Sequence, residues 1–145
     1  MIVFFDSNVL IYTVDDAEPL KQQLAITRLA SVLGTHRIAL STQVLQEFVN
    51  VTTRKLKNRL SLSEVSEHLA NFCQFEVVGS HASSVQAALH LMQQHQTRWW
   101  DALILEAALR ADADLLVSED FAHGQRFGKL VVENPFLDSQ FNRAL

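Results

Sequence analysis

The sequence predicts an α/β fold in which a parallel sheet is covered on both faces by helices, and three observations carry that expectation. Short apolar runs alternate with longer stretches of helical periodicity, the pattern of strand–helix units. Neither Asn-Gly nor Asp-Gly occurs, so the strongest short signal for a hairpin between antiparallel strands is missing. Only four glycines and two prolines interrupt 145 residues, which leaves most of the chain for regular structure.

The elements follow in order. Ile2-Val3-Phe4-Phe5 reads as a buried strand. Leu20, Leu24, Leu29 and Leu33 recur at helical spacing behind Pro19, a residue well placed to start a helix. Ile38-Ala39-Leu40 is a second strand, and Val44, Leu45, Phe48 and Val49 then form an apolar helical face. Ser61 with Glu64 makes a capping box that opens a helix running towards Phe72. Residues 75–78 supply a third strand. Residues 83–94 read as a helix opened by Ser83 and Gln86, and Thr97 is placed to cap the next helix. That helix is expected to turn Trp100, Leu103, Ile104, Ala107 and Ala108 inward. Leu115-Leu116-Val117 and Leu130-Val131-Val132 provide the fourth and fifth strands. With no linker, repeat or low-complexity tract in sight, one domain is expected over residues 1–145.

Composition removes several function classes. Twelve Lys and Arg against sixteen Asp and Glu give a formal charge of −4, which argues against a protein that coats nucleic acid by charge alone. Apolar residues make up 48% of the chain, enough for a sizeable core. The single cysteine, Cys73, allows neither an internal disulfide nor a cysteine zinc site, and its flanking Phe72 and Phe75 read as core. The longest apolar run covers residues 1–5, far short of the roughly 20 that span a bilayer. No cationic segment precedes it, so a cytoplasmic protein without membrane association is expected. Neither G-x-G-x-x-G nor G-x-x-x-x-G-K occurs, which excludes the common dinucleotide and nucleoside-triphosphate sites.

Parallel sheets bind ligands at the carboxyl ends of their strands, where the following helices begin. Four acids fall on that edge. Asp6 follows the first strand, Glu47 lies in the first turns of the helix after the second, Asp101 opens a later helix, and Asp120 lies just past the fourth strand. An Asp after a strand or in a first helical turn is also a common cap. Glu47 is the most telling of the four, because it sits beside the apolar face rather than opposite it. Two carboxylates about 4 Å apart repel by roughly 4 kcal/mol at an effective dielectric of 20. A bound Mg²⁺ or Mn²⁺ would remove that penalty, and hard ions of this kind prefer oxygen ligands. Carboxylates with no Cys or Ser nucleophile beside them suit metal-assisted phosphodiester hydrolysis.

Other residues carry weaker signals. Arg54, Lys55, Lys57 and Arg59 cluster behind the Glu47 helix and read either as phosphate contacts or as a solvated helix end. Arg98 is a further phosphate candidate. Trp99 reads as a stacking or interface residue, and Trp100 as core. His90 and His95, five apart, do not share a helical face, and no His-Glu-x-x-His motif occurs. His123 reads as a solvated loop residue within reach of a phosphate.

Five stretches together resemble the PIN domain family, specifically the VapC-type ribonuclease toxins of bacterial toxin–antitoxin pairs. They are Phe5-Asp6-Ser7-Asn8-Val9-Leu10-Ile11-Tyr12, Ser41-Thr42-Gln43-Val44-Leu45-Gln46-Glu47-Phe48, Trp100-Asp101-Ala102-Leu103-Ile104, Leu116-Val117-Ser118-Glu119-Asp120-Phe121 and Val131-Val132-Glu133-Asn134-Pro135-Phe136. They occur in family order over essentially the whole chain. Glu133 departs from the pattern, standing where many relatives have an uncharged residue.

The resemblance implies a three-layer α/β/α sandwich with a five-stranded parallel sheet in order 3-2-1-4-5. It implies that Asp6, Glu47, Asp101 and Asp120 bind Mg²⁺ or Mn²⁺, that Ser118 orients the site and that Asn8 braces it. Glu119 competes with Asp120 for the fourth position, and strand alternation favours Asp120 by placing it on the side of Ser118. The resemblance further implies an endoribonuclease that leaves a 5′-phosphate and a 3′-hydroxyl, a homodimer, and an antitoxin partner. The competing readings are a PIN-fold module that binds RNA or protein without turnover, and a phosphohydrolase or receiver-like domain using Asp6 as phosphoacceptor. Asp6-Ser7-Asn8 lacks the second aspartate of an Asp-x-Asp phosphatase signature.

Overall fold

Strand β1 (Ile2–Phe5) forms the centre of the fold, with Val3, Phe4 and Phe5 wholly buried, as an apolar run covered on both faces requires. The computed structural model describes residues 1–137. Around β1 stand β2 (Arg37–Ser41), β3 (Glu76–Val78), β4 (Leu115–Val117), β5 (Arg126–Phe127) and β6 (Leu130–Glu133), in the order β3-β2-β1-β4-β6-β5. The first five strands of that order are parallel, with Val3 opposite Ile38 and Leu115, and Leu116 opposite Val132.

The expected order 3-2-1-4-5 is this sheet with β6 as the expected fifth strand. The structure adds β5, a short antiparallel edge strand paired to β6 through Phe127 and Leu130. Its turn is Gly128-Lys129, with Gly128 at φ +62°. A glycine at the first central position provides the left-handed backbone that a tight hairpin needs without an Asn-Gly or Asp-Gly pair.

The helices are α1 (Ser7–Tyr12), α2 (Pro19–Val32), α3 (Thr42–Arg54), α4 (Leu62–Phe72), α5 (Ala82–His95) and α6 (Trp99–Arg110). Right-handed crossovers place α1 to α4 on one face and α5 and α6 on the other, because the strand order reverses between β3 and β4. In agreement, α1 packs on α2 and α3, α3 on α4, and α5 on α6. Phe4, Phe5, Leu10, Leu40, Phe48, Leu105, Leu116 and Leu130 are the largest wholly buried side chains.

Local signals explain most helix starts. Pro19 opens α2, and Ser61 and Glu64 cap α4 reciprocally across 3.1 and 3.0 Å. On α2 the buried positions are Ala25 and Val32, whereas Leu20 and Leu33 at its ends are exposed. The α5 start differs from expectation. His81 is its cap and donates its backbone N–H to Ser84 Oγ across 3.2 Å, two positions before the expected Ser83–Gln86 pair. Arg98, not Thr97, precedes α6, and Thr97 Oγ1 is buried without a hydrogen-bond partner among the described residues. Cys73 is exposed rather than core, because it follows the last turn of α4 while Phe72 turns inward. Among the described residues, no helix is long and apolar enough to cross a membrane.

Candidate active site

The chain adds strands to one side from β1 and to the other from β4, and this switch point is where an open α/β sheet leaves a crevice at its carboxyl edge. Asp6 leaves β1 there, its backbone N–H bonded to Val117 O of β4 at 3.0 Å. Only 2% of Asp6 is exposed. Its Oδ1 accepts from the Ser7 N–H at 2.7 Å, so Asp6 also caps α1, and its Oδ2 accepts from Ser118 Oγ at 2.7 Å. Asn8 Nδ2 approaches the same Oδ2 at 3.4 Å.

The neighbouring acids are joined to Asp6 through small polar side chains. Asn8 Nδ2 donates to Asp120 Oδ2 at 2.9 Å, and Ser118 Oγ accepts the Asp120 N–H at 3.1 Å. Ser7 Oγ donates to Glu47 Oε2 at 2.9 Å, and Gln43 Nε2 donates to Glu47 Oε1 at 2.7 Å. Asp101, in the first turn of α6, pairs with Arg98 at 3.3 Å. All four acids sought from sequence therefore lie at one edge of the sheet, Asn8 and Ser118 linking Asp6 to Asp120 and Ser7 bonding both Asp6 and Glu47.

Electrostatics report the same crowding. The Asp6 pKa is raised to about 7, first by burial and then by the charges of Asp120 and Glu47, against the lowering effect of Ser118 and the Ser7 N–H. Burial also raises Asp101, helped by Asp120 and Glu47 and opposed by Arg98. Among the described residues the hydrogen-bond partners of Asp6 are Ser7, Asn8 and Ser118, none of them cationic.

This donor set fits a hard divalent ion by chemistry, since it offers carboxylate oxygens and an excess of negative charge. The side chains are held by Ser7, Asn8, Gln43 and Arg98 rather than drawn around one point. Among the described residues no three His, Cys, Asp or Glu side chains are gathered closely enough to ligate an ion as they stand. Serine nucleophiles are not part of the arrangement, because Ser7 and Ser118 are buried and give their hydroxyls to carboxylates.

Glu119 turns away from this group. Its carboxylate pairs with Lys21 at 3.0 Å, and Lys21 lies 4.8 and 5.2 Å from the Tyr12 and Phe136 ring centres. Arg54, Lys55, Lys57 and Arg59 are exposed at and beyond the far end of α3, Arg54 closing the helix seven residues or about 10 Å along its axis from Glu47. Of the five cations singled out from sequence, Arg98 is the one bonded to an acid of the site. His123 Nδ1 accepts the Asn134 N–H at 3.0 Å.

Trp100 departs from the sequence expectation: it is 67% exposed, while Trp99 is half-buried. Along its stripe of α6, Leu103 is half-buried and Ile104 and Ala107 are 2% and 4% exposed. Periodicity identified the stripe correctly, but Trp100 occupies its outer end, past the edge of the core. Sequence reasoning does not single out Ser7 or Gln43. Gln43 carries a usable signal, since it precedes Glu47 by four positions, the spacing at which a helical amide reaches a carboxylate. Ser7 carries none.

The architecture is a mostly parallel α/β sandwich with carboxylates at the switch point of its sheet. More narrowly, the chain belongs to the PIN domain family, whose profile matches residues 3–125. Its fold is similar to VapBC2 from Rickettsia felis, solved with a promoter DNA fragment, at 21% identity over 92% of this chain and 98% of that one, TM-score 0.64. A toxin–antitoxin complex from Klebsiella pneumoniae aligns at 20% identity over 92% and 97%, TM-score 0.64. VapC20 of Mycobacterium tuberculosis, described as a toxin that cleaves the sarcin–ricin loop, aligns at 14% identity over 79% and 86%, TM-score 0.61. A sequence comparison with curated proteins finds no match.

Proposed function

We propose that the chain is a metal-dependent endoribonuclease, the toxin of a type II toxin–antitoxin pair, which hydrolyses RNA phosphodiesters in the cytoplasm as a single-domain protein. The observation that carries this reading is Asp6, a buried carboxylate pushed to a pKa of about 7 with two further acids beside it and no described cation against it. Keeping such a group ionised is costly for a module that only binds, and useful to one that recruits a divalent cation.

Asp6, Glu47, Asp101 and Asp120 would hold Mg²⁺ or Mn²⁺. When bound, such an ion supplies Lewis-acid stabilisation of charge on phosphodiester oxygens. The rest is the work of the chain. Ser118 and Asn8 fix the carboxylates of Asp6 and Asp120, and Ser7 and Gln43 fix both oxygens of Glu47. With Ser7 and Ser118 committed as donors, water is left as the attacking nucleophile. Arg98 stands at the rim to meet phosphate, while Arg54, Lys55, Lys57 and Arg59 would contact only a longer strand. The toxin–antitoxin complexes of the same fold support an antitoxin partner, and the family resemblance supports a homodimer.

The test is RNA cleavage by the purified chain with Mg²⁺ or Mn²⁺ and in excess EDTA. Cleavage that needs the metal and is lost in Asp6→Ala and Asp101→Ala, with circular dichroism unchanged, supports the reading. Cleavage in EDTA, or undiminished in both variants, overturns it.

A further inference from the structure

Trp100 is an apolar side chain of the largest size, left in solvent one residue from Asp101. Isolated exposed apolar residues are common and need no explanation. What sets Trp100 apart is its surroundings. Its carbonyl oxygen lies 3.4 Å from Gln43 Nε2, the same amide nitrogen that donates to Glu47 Oε1 at 2.7 Å. One side-chain amide thus ties the Trp100 backbone to an acid of the cleft. Two residues earlier, the Arg98 side chain is 81% exposed and uses Nε for Asp101, and its other guanidinium N–H groups have no hydrogen-bond partner among the described residues.

An exposed aromatic face and a guanidinium beside a phosphodiester-binding cleft are the two parts of a single-strand nucleic-acid platform. Aromatic rings stack bases with little regard to sequence, and Arg meets the phosphate between them. We propose that Trp100 stacks a base of the RNA strand next to the phosphate held at the acidic cleft, and that Arg98 contacts the flanking phosphate. This rests on the nuclease reading and names how its substrate is gripped. A protein surface would also bury an exposed indole, but the acids and Arg98 around Trp100 match an RNA backbone with cations between, not an apolar helix.

Stacking predicts where the cost of losing Trp100 falls. The interaction exists before and during reaction, so it acts on KM and leaves kcat nearly unchanged. Trp100→Ala is expected to weaken binding of a fluorescein-labelled, single-stranded RNA of mixed sequence about tenfold, within the range that a stacked base is worth. Binding is read by anisotropy in Ca²⁺. Trp100→Phe, which keeps an aromatic face, is expected to recover most of the loss. In Trp99→Phe, where Trp100 is the remaining indole of the two in the chain, the same RNA is expected to quench its fluorescence.

Binding by Trp100→Ala within about twofold of the parent chain overturns the proposal, since stacking is worth more than that. So does a loss accounted for by a shift from dimer to monomer on size-exclusion chromatography, which would make Trp100 a contact between protein copies. The two readings fail separately. Trp100-dependent RNA binding without any cleavage in Mg²⁺ or Mn²⁺ sinks the nuclease and leaves the platform standing. Metal-dependent cleavage with KM unchanged in Trp100→Ala sinks the platform and leaves the nuclease.

Discussion

Asn8 donates its side-chain amide to Asp120 across 2.9 Å, joining the first turn of α1 to the loop after β4 over 112 positions of sequence. The same nitrogen lies 3.4 Å from Asp6 Oδ2, and Asn8 Oδ1 meets the Glu119 N–H at 3.4 Å. Asn8 therefore ties two acids of this edge together, and would act as an outer partner to an ion held by them. Losing such an outer partner typically costs about 10–100-fold in metal affinity or activity. Asn8→Ala is expected to fall in that range, with the Mg²⁺ concentration needed for half-maximal cleavage raised and the melting temperature nearly unchanged. Asn8→Asp, which replaces the donor with another carboxylate, is expected to be worse than Asn8→Ala in the same titration.

A buried Asp6 with a pKa of about 7, against 3.8 when unfolded, makes the metal-free protein's stability depend on pH. The native state holds this proton more tightly than the unfolded chain. The stabilisation is complete below the unfolded value and is lost as pH rises through 7, to a total on the order of 4 kcal/mol. In EDTA, Asp6→Asn is therefore expected to be more stable than the parent chain at pH 8, and the difference is expected to shrink at pH 5. Urea unfolding of both proteins at the two pH values measures it. A difference that is the same at pH 5 and pH 8 contradicts the assignment. Mg²⁺ at pH 8 is expected to restore stability to the parent chain alone.

How far such features can be read from sequence depends on how local their causes are. The Ser61–Glu64 capping box is a contact between near neighbours, and its spacing alone announces it. The placement of Asp6, Glu47, Asp101 and Asp120 along one edge follows from topology, since every acid at a strand's carboxyl end or a following helix start shares that edge. Trp100 and Cys73 show where this fails. Periodicity and flanking aromatics say which way a side chain points, but not whether the core still extends beneath it. Strand β5 was hidden for another reason, because a single positive-φ glycine at position 128 does the work usually signalled by two turn residues.

Glu119 and Asp120 are adjacent in sequence, and their partners separate them. Burial opposes the charge of Lys21, yet the bonds to Glu119 and Tyr12 hold its pKa above the ordinary lysine value, so the lysine stays charged and occupied by its partners. Glu119→Gln is expected to retain RNA cleavage within about threefold, because its carboxylate faces Lys21 and not the other acids. Asp120→Asn is expected to lose more than the roughly 10–100-fold typical of outer-shell changes. Initial rates at saturating Mn²⁺ decide the matter. Equal losses in the two variants would place Glu119 in the site.

Glu133, at the end of β6, has a cationic partner on α2. Arg28 on α2 reaches its two carboxylate oxygens at 2.6 and 2.9 Å, a forked pair with side chains 29% and 20% exposed. The main chain of Glu133 faces the other way in effect, since its carbonyl accepts the Ser118 N–H at 3.0 Å beside Asp6. The ion pair pins α2 to β6, while the backbone bond, which needs no particular side chain, supports the site. Glu133→Gln is expected to cost about 1 kcal/mol of stability in urea unfolding, a well-formed and partly buried pair lying at the upper end for ion pairs near the surface. That cost is expected to vanish in an Arg28→Ala background, where the partner is already gone. Cleavage by Glu133→Gln at temperatures well below unfolding is expected to match the parent chain. A drop in kcat there would mean that the side chain, and not only its backbone, holds Ser118 in place.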